Sequence, residues 1–330
     1  MQNKLKKLIY MWENYSYLIA FILVVIIATI ITDGLYIQPS NLLSILKQSS
    51  IKGILALGMT MIILIGAIDL SVGSVIALAG GLAILAVNAT GSSAVGFLVA
   101  IAVTCTIGLI NGTLVSKLKM APFIVTLGMM AIARSLILQI SGGGVIKLDD
   151  TSSFFSTIAT SDVKFSIFGD VYWLSYQSII FIILTIFLII IMEKTSIGVY
   201  IKAVGSNNKS TRIAGINTDL VIIGAFIFAG LFIGISSILA ASQLNSIASS
   251  NTGTGFELDA IAAVAIGGTS MNGGKGKVIG TFFGILILTT IVNMMTLAGL
   301  DAYIQGVVKG IVIIAAVGLQ SAITILKERV

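Results

Sequence analysis

The chain has 330 residues, a mean hydropathy of +1.10, 57% apolar and 10% charged residues, and a net charge of +6. That is too little charge to clothe a water-soluble domain, whose composition is roughly a quarter charged, so the solvent of this chain is lipid. The lack of histidine excludes His-based acid–base or nucleophilic catalysis, and one cysteine, Cys105 inside an apolar run, argues against metal, haem and disulfide chemistry. No catalytic residue and no metal ligand is nominated. The basic residues sit scattered at the ends of apolar runs, which is a topology signal and not a nucleic-acid surface.

The amino terminus, Met1 to Lys7, is basic and is followed by an apolar run from Tyr17 to Thr32. Thr32-Asp33-Gly34-Leu35 is a poor cleavage site, so this reads as an uncleaved first span with Trp12, Tyr15 and Tyr17 as interfacial anchors. Further apolar runs fall near 53–68, 71–89, 94–115, 121–140, 174–192, 220–241, 258–270, 278–298 and 302–326. They predict an all-α polytopic membrane protein of about ten transmembrane helices, both termini cytoplasmic, forming one transmembrane domain over 1–330 with short tails at about 1–14 and 327–330. The second and eighth runs are broken, at Gly66 and Asp69 and at Gly267-Gly268, as discontinuous transporter helices are. Under this topology thirteen basic residues lie inside, from Lys4 to Arg329. Four lie outside (Lys47, Lys52, Lys147 and Lys164), while Arg134 and Lys309 fall within spans. That bias is the one the positive-inside rule expects.

Two connections exceed a turn. The outer one, about 141–173, is acidic, with Asp149, Asp150, Asp162 and Asp170. The inner one, about 193–219, is basic, and its apolar residues Ile197, Ile201, Val204, Ile213 and Ile216 suit a short helix pair at the surface; a solvated linker is the alternative.

Gly268 to Lys277 superficially resembles a phosphate-cradling loop. Thr269 does not supply the needed glycine and Gly276, not Ser or Thr, follows the lysine, so it reads as a tight glycine-rich turn. Asp69, in Asp69-Leu70-Ser71-Val72-Gly73, is a carboxylate between apolar runs: a pathway group by default, or a cap on the next helix, and the two are compatible. Arg134 and Lys309 either line a polar path, pair with a carboxylate, or snorkel. Thr252 to Asp259, with Glu257 and Asp259, is placed at the outer end of the eighth span, as a gate or as an acidic helix start.

Four stretches together carry a family resemblance: Gly58 to Ser74, Pro122 to Met130 with Arg134, Gly205 to Ile216, and Gly253 to Ala263 running on to Gly276, extended by Tyr303, Gln305 and Lys309. The chain resembles the membrane permease subunit of ribose-type sugar ATP-binding-cassette importers, a group that also carries xylose, arabinose, galactose and autoinducer-2. The ribose branch is the nearest in look. The resemblance implies a dimer with a second copy or a sister permease, two ATPase subunits that bind ATP and Mg, and an extracytoplasmic sugar-binding protein. It implies a location in the bacterial inner membrane, a monosaccharide substrate, and no cofactor on this chain.

It also implies that Gly205, Asn207, Asn208, Arg212, Gly215 and Ile216 form the loop coupled to the ATPase. Asn208 stands there in a usually acidic position, with Lys209-Ser210 in place of small residues. Ser135 follows Arg134 where the family has glycine. Gate and path candidates are Asp69, Ser71, Asn111, Thr126, Arg134, Glu257, Asp259, Gln305 and Lys309, with Asn88, Gln139 and Asn293 as further amides. The competing reading is an ion-gradient-driven secondary transporter of a small polar solute. The scarcity of deep carboxylates and the lack of histidine weigh against it.

Overall fold

The computed structural model describes the backbone of residues 2–167 and 170–328, and side-chain surroundings over 15–166, 170–315 and 318. The expectations for the tails 1–14 and 327–330, Trp12 included, concern side chains outside the described residues. Helix α1 runs Gln2–Ile31 and α2 Pro39–Leu64, joined by a turn through Gly34 in the left-handed region. Pro39 opens α2, where its missing N–H costs nothing. Then follow α3 (Val72–Thr90), α4 (Ser93–Ser116) and α5 (Pro122–Ser141), with Gly91 and Gly142 closing α3 and α5 in left-handed conformations.

After α5 come strand β1 (Val145–Lys147), helix α6 (Phe154–Thr160) and the antiparallel hairpin of β2 (Asp162–Ile167) and β3 (Asp170–Ser175). Helix α7 (Tyr176–Lys194) leads to the short pair α8 (Ser196–Ser206) and α9 (Asn208–Ile213). Helix α10 (Thr218–Leu244), strand β4 (Ser246–Ala248), α11 (Phe256–Ile266), α12 (Val278–Leu297) and α13 (Ala302–Glu328) complete the chain.

Among the described residues, seven helices are long and apolar enough to cross a membrane: α2, α3, α4, α5, α7, α10 and α12. The core lies where α10 packs on α4, α2 and α3. Small residues make that approach possible. A β-carbon on Gly112 of α4 would stand 2.9 Å from the Ile223 Cα, and one on Gly230 of α10 would stand 2.6 Å from the Thr104 carbonyl oxygen. Several hydroxyls inside the bundle bond back along their own helices, as Ser49 does to the Ile45 carbonyl (2.8 Å) and Thr60 to that of Ala56 (2.8 Å), which satisfies them without water.

The structure corrects several expectations. The second span begins at Pro39 and not near residue 53, because Ser40, Asn41, Ser44, Lys47 and Gln48 dilute the hydropathy of a stretch that is helical throughout. Lys47 and Lys52 therefore lie on α2, and Lys47 pairs with Asp162 of the connection 141–173. The eighth run, 258–270, is an 11-residue helix, too short to span. The connection 141–173 is structured, holding β1, α6 and the hairpin. Tyr17, partly exposed, stacks on Phe283 of α12 at 5.7 Å, which is compatible with an interfacial anchor. The short helix pair expected within 193–219 is present as α8 and α9.

Candidate functional site

Two places concentrate the candidate residues. The first is one end of the bundle, where three backbones converge. Helix α8 buries Gly198, Ile201 and Val204 against the bundle. At its end Gly205 lies against the last turn of α2: a β-carbon there would overlap the Leu64 carbonyl oxygen and stand 2.7 Å from the Gly274 nitrogen. The Gly274 N–H donates to that same Leu64 carbonyl at 2.9 Å. The glycine-rich segment is thus a turn with Gly273 and Gly274 at positive φ, as its sequence implies. Asn207 caps α9, accepting the Ser210 N–H at 2.9 Å. Asn208, Lys209 and Arg212 are exposed, and Ile213 is 80% exposed. Gly215 turns the chain at φ +85°, with open space around it, and the Ile216 N–H donates to the Thr211 carbonyl at 3.3 Å. Beside this platform a cavity of about 230 Å³ is lined by Gly66, Lys119, Pro122 and Asn208, among others.

The second place lies within the bundle. Asp69 sits in the break between α2 and α3, 3% exposed. Its Oδ1 accepts the Ser71 N–H at 2.8 Å and the Ser71 hydroxyl at 2.6 Å. Asn111 of α4 donates to the Ser71 Oγ at 3.4 Å, and the Thr126 hydroxyl of α5 reaches the Ile68 carbonyl at 3.2 Å. Asp69 thus holds the turn before α3 through Ser71 and does not cap the helix as the sequence suggested, since the N-cap, Ser71, makes no side-chain capping bond.

The segment after α10 leads back into the bundle. Asn245 reverses the chain at φ +50°, and β4 pairs antiparallel with β1, placing Ile247 opposite Ile146. Ile247 lies against Gly80 of α3, and Gly253 lies against Gly73, seven residues nearer the start of α3. At a rise of 1.5 Å per residue that is a descent of about 10 Å.

Arg134 of α5 holds the descending strand with a forked guanidinium, donating to the Ser249 carbonyl at 2.7 Å and the Thr252 carbonyl at 2.9 Å. Gly73 and Gly253 touch backbone to backbone, and the Glu257 carboxylate stands 2.6 Å from where a Gly73 β-carbon would be. The stretch Thr252 to Asp259 opens α11 with Glu257 and Asp259 in its first turn, the acidic helix start that the sequence offered, and lies beside the start of α3.

Asp259, 3% exposed, pairs with Lys52 of α2 at 2.8 Å and with Lys309 of α13. Lys52 also lies 5.0 Å from the Phe256 ring centre. The fold thus gathers Asp69, Ser71, Asn111 and Thr126 into one cluster, and Arg134, Glu257, Asp259 and Lys309 around the neighbouring start of α11. Gln305 stands apart, tying the α12–α13 turn through the Leu300 carbonyl at 2.9 Å. Asn88 fastens the segment after β1 (to the Lys147 carbonyl, 2.9 Å), and Asn293 exchanges amide hydrogen bonds with Asn41 at 3.0 and 3.2 Å. Sequence reasoning missed Lys52. Its signal was a cation set between Ile51 and the apolar run that begins at Gly53.

The family described as "Branched-chain amino acid transport system / permease component" matches residues 41–317, most of the chain. The chain belongs to this permease family. Its relatives include the ribose import permease protein RbsC of Escherichia coli K12, 36% identical over 310 residues and 93% of each chain. RbsC of Bacillus subtilis 168 is 37% identical over 299 residues, covering 90% of this chain and 89% of its own. The galactose/methyl galactoside import permease protein MglC of E. coli K12 is 35% identical over 334 residues and 97% of each. No solved structure matches the chain at comparable significance. Family and helices together make it a multi-pass inner-membrane protein.

Proposed function

We propose that this chain is the permease subunit of an ATP-binding-cassette importer and forms the path for a monosaccharide, ribose or a close relative. The observation that carries the reading is the likeness, over nearly the whole length, to permeases named for ribose and galactose import. The α8–α9 platform supports it. Its exposed polar surface is bolted by Gly205 to the end of α2, so force applied there reaches the helix that carries the break at Asp69. In this reading both termini and the platform face the cytoplasm. ATPase subunits that bind ATP and Mg dock on Asn208 to Ile213, a sugar-binding protein meets the opposite face near the β2–β3 hairpin, and a second copy or a sister permease completes the path. The chain itself turns over no substrate.

The test is sugar uptake by proteoliposomes holding this chain with its ATPase and binding protein. Uptake should need ATP, stop with vanadate and survive a protonophore. Uptake that survives vanadate and collapses with the protonophore overturns the reading in favour of ion-coupled transport.

A further inference from the structure

We propose that Lys52, Asp259 and Lys309 form a latch on the wall of the translocation path, tying α13 to the interior of the bundle, with Lys52 holding the carboxylate whenever α13 withdraws. The inference rests on the permease reading above and adds a moving part to it.

Depth comes first. Lys52 lies near the middle of the 26-residue α2, five residues and about 8 Å along the helix from Lys47, which pairs with Asp162 of the β2–β3 hairpin, so the triad lies inside the bundle below that hairpin. The lysine side chains are nevertheless 36% and 28% exposed, while the Asp259 side chain is 4% exposed. Ammonium groups at that depth do not face hydrocarbon; they face water or protein. The open side of the triad is therefore the side on which the path runs.

Stoichiometry comes second. Two cations share one buried carboxylate, and they come from elements of different standing. Helix α2 is buried along most of its second half and packs on α10, α11, α12 and α7, whereas α13 packs chiefly on α11 and α12 and leaves Tyr303, Val307, Ile311 and Ile314 exposed. A static ion pair needs one lysine. With two, the bond to α13 can break without stranding Asp259, because a buried carboxylate that loses its only partner is strongly destabilised. The other charged groups near this point are Glu257 on α11 and Arg134 on α5. Arg134 is committed to the Ser249 and Thr252 carbonyls and does not take over Asp259.

The two lysines then have opposite roles, which a merely structural pair does not. The test uses the assembled transporter in nanodiscs, Cys105→Ser, with spin labels at Leu258→Cys and Ile311→Cys. The distance between labels is read without nucleotide and after ATP–vanadate trapping. The unsubstituted triad should give two distances, one per state. Lys309→Met should give the longer distance in both states, and Lys52→Met the shorter in both. Lys309→Arg should restore both distances. Uptake should fall about tenfold or more in both methionine variants.

Distances that do not change with nucleotide, or that shift the same way in Lys52→Met and Lys309→Met, overturn the latch. ATP-driven uptake tests the permease reading separately: where uptake works and the distances stay fixed the latch fails, and where uptake fails the permease reading falls while the latch is decided by the two methionine variants alone, whose distances must differ from each other without nucleotide.

Discussion

Gly205 approaches the Leu64 carbonyl so closely that no β-carbon fits between them, and the Gly274 N–H donates to the same oxygen at 2.9 Å. Three segments far apart in sequence meet at one carbonyl, and only glycine lets the segment of Gly205 pack against it.

Gly205→Ala should therefore uncouple the transporter. The colliding atoms are backbone, which cannot swing aside, and overpacking of this kind costs about 1–3 kcal/mol. Gly215→Ala has open space and meets only the strain of its positive φ, about 1–2 kcal/mol. ATP-driven uptake by the two variants, at equal membrane abundance, should fall further for Gly205→Ala. Equal uptake would show that the junction transmits nothing.

Arg134→Met should lower the thermal midpoint in detergent, since two charge-assisted hydrogen bonds to buried carbonyls are lost, each worth about 1.5–3 kcal/mol. Arg134→Lys should recover only part of it, because an ammonium cannot fork to Ser249 and Thr252 as a guanidinium does. Full recovery with lysine would argue for a simple charge requirement.

Asp69→Asn keeps an acceptor for the Ser71 N–H, whereas Asp69→Ala removes it. The alanine variant should lose about 0.5–1.5 kcal/mol for each of the two hydrogen bonds to Ser71, and the asparagine variant less. Chemical denaturation of the purified chain decides this. If Asn is as damaging to transport as Ala while stability is kept, the charge itself acts in the path.

Lys119→Ala is the contrasting case. Its ammonium pairs with Asp219 at 2.7 Å, but the lysine side chain is 58% exposed. Such surface pairs contribute about 0–1 kcal/mol. The thermal midpoint should stay nearly constant, and the small change should shrink further in high salt.

The membrane helices were legible because a bilayer demands unbroken apolar runs, and α3, α4, α5, α7, α10 and α12 fall close to the runs read from sequence. The break at Asp69 was legible for the same reason, since a carboxylate between two such runs stands out. The first half of α2 was not, because its polar residues satisfy themselves locally or on neighbours, as Lys47 does on Asp162 at 3.5 Å. Lys52 was taken for a topology marker because its partner, Asp259, comes near only through the fold. The re-entry of residues 246–255 was invisible because it rests on β1–β4 pairing and on Arg134, neither of which leaves a local pattern.

The contact between Gly73 and Gly253 joins main chain to main chain and offers no side chain for substitution to reshape. A carrier built on such a seam keeps its centre invariant and must adjust its choice of cargo at the rims, so exchanging outer segments among relatives should alter partnership before it alters the machine's stroke.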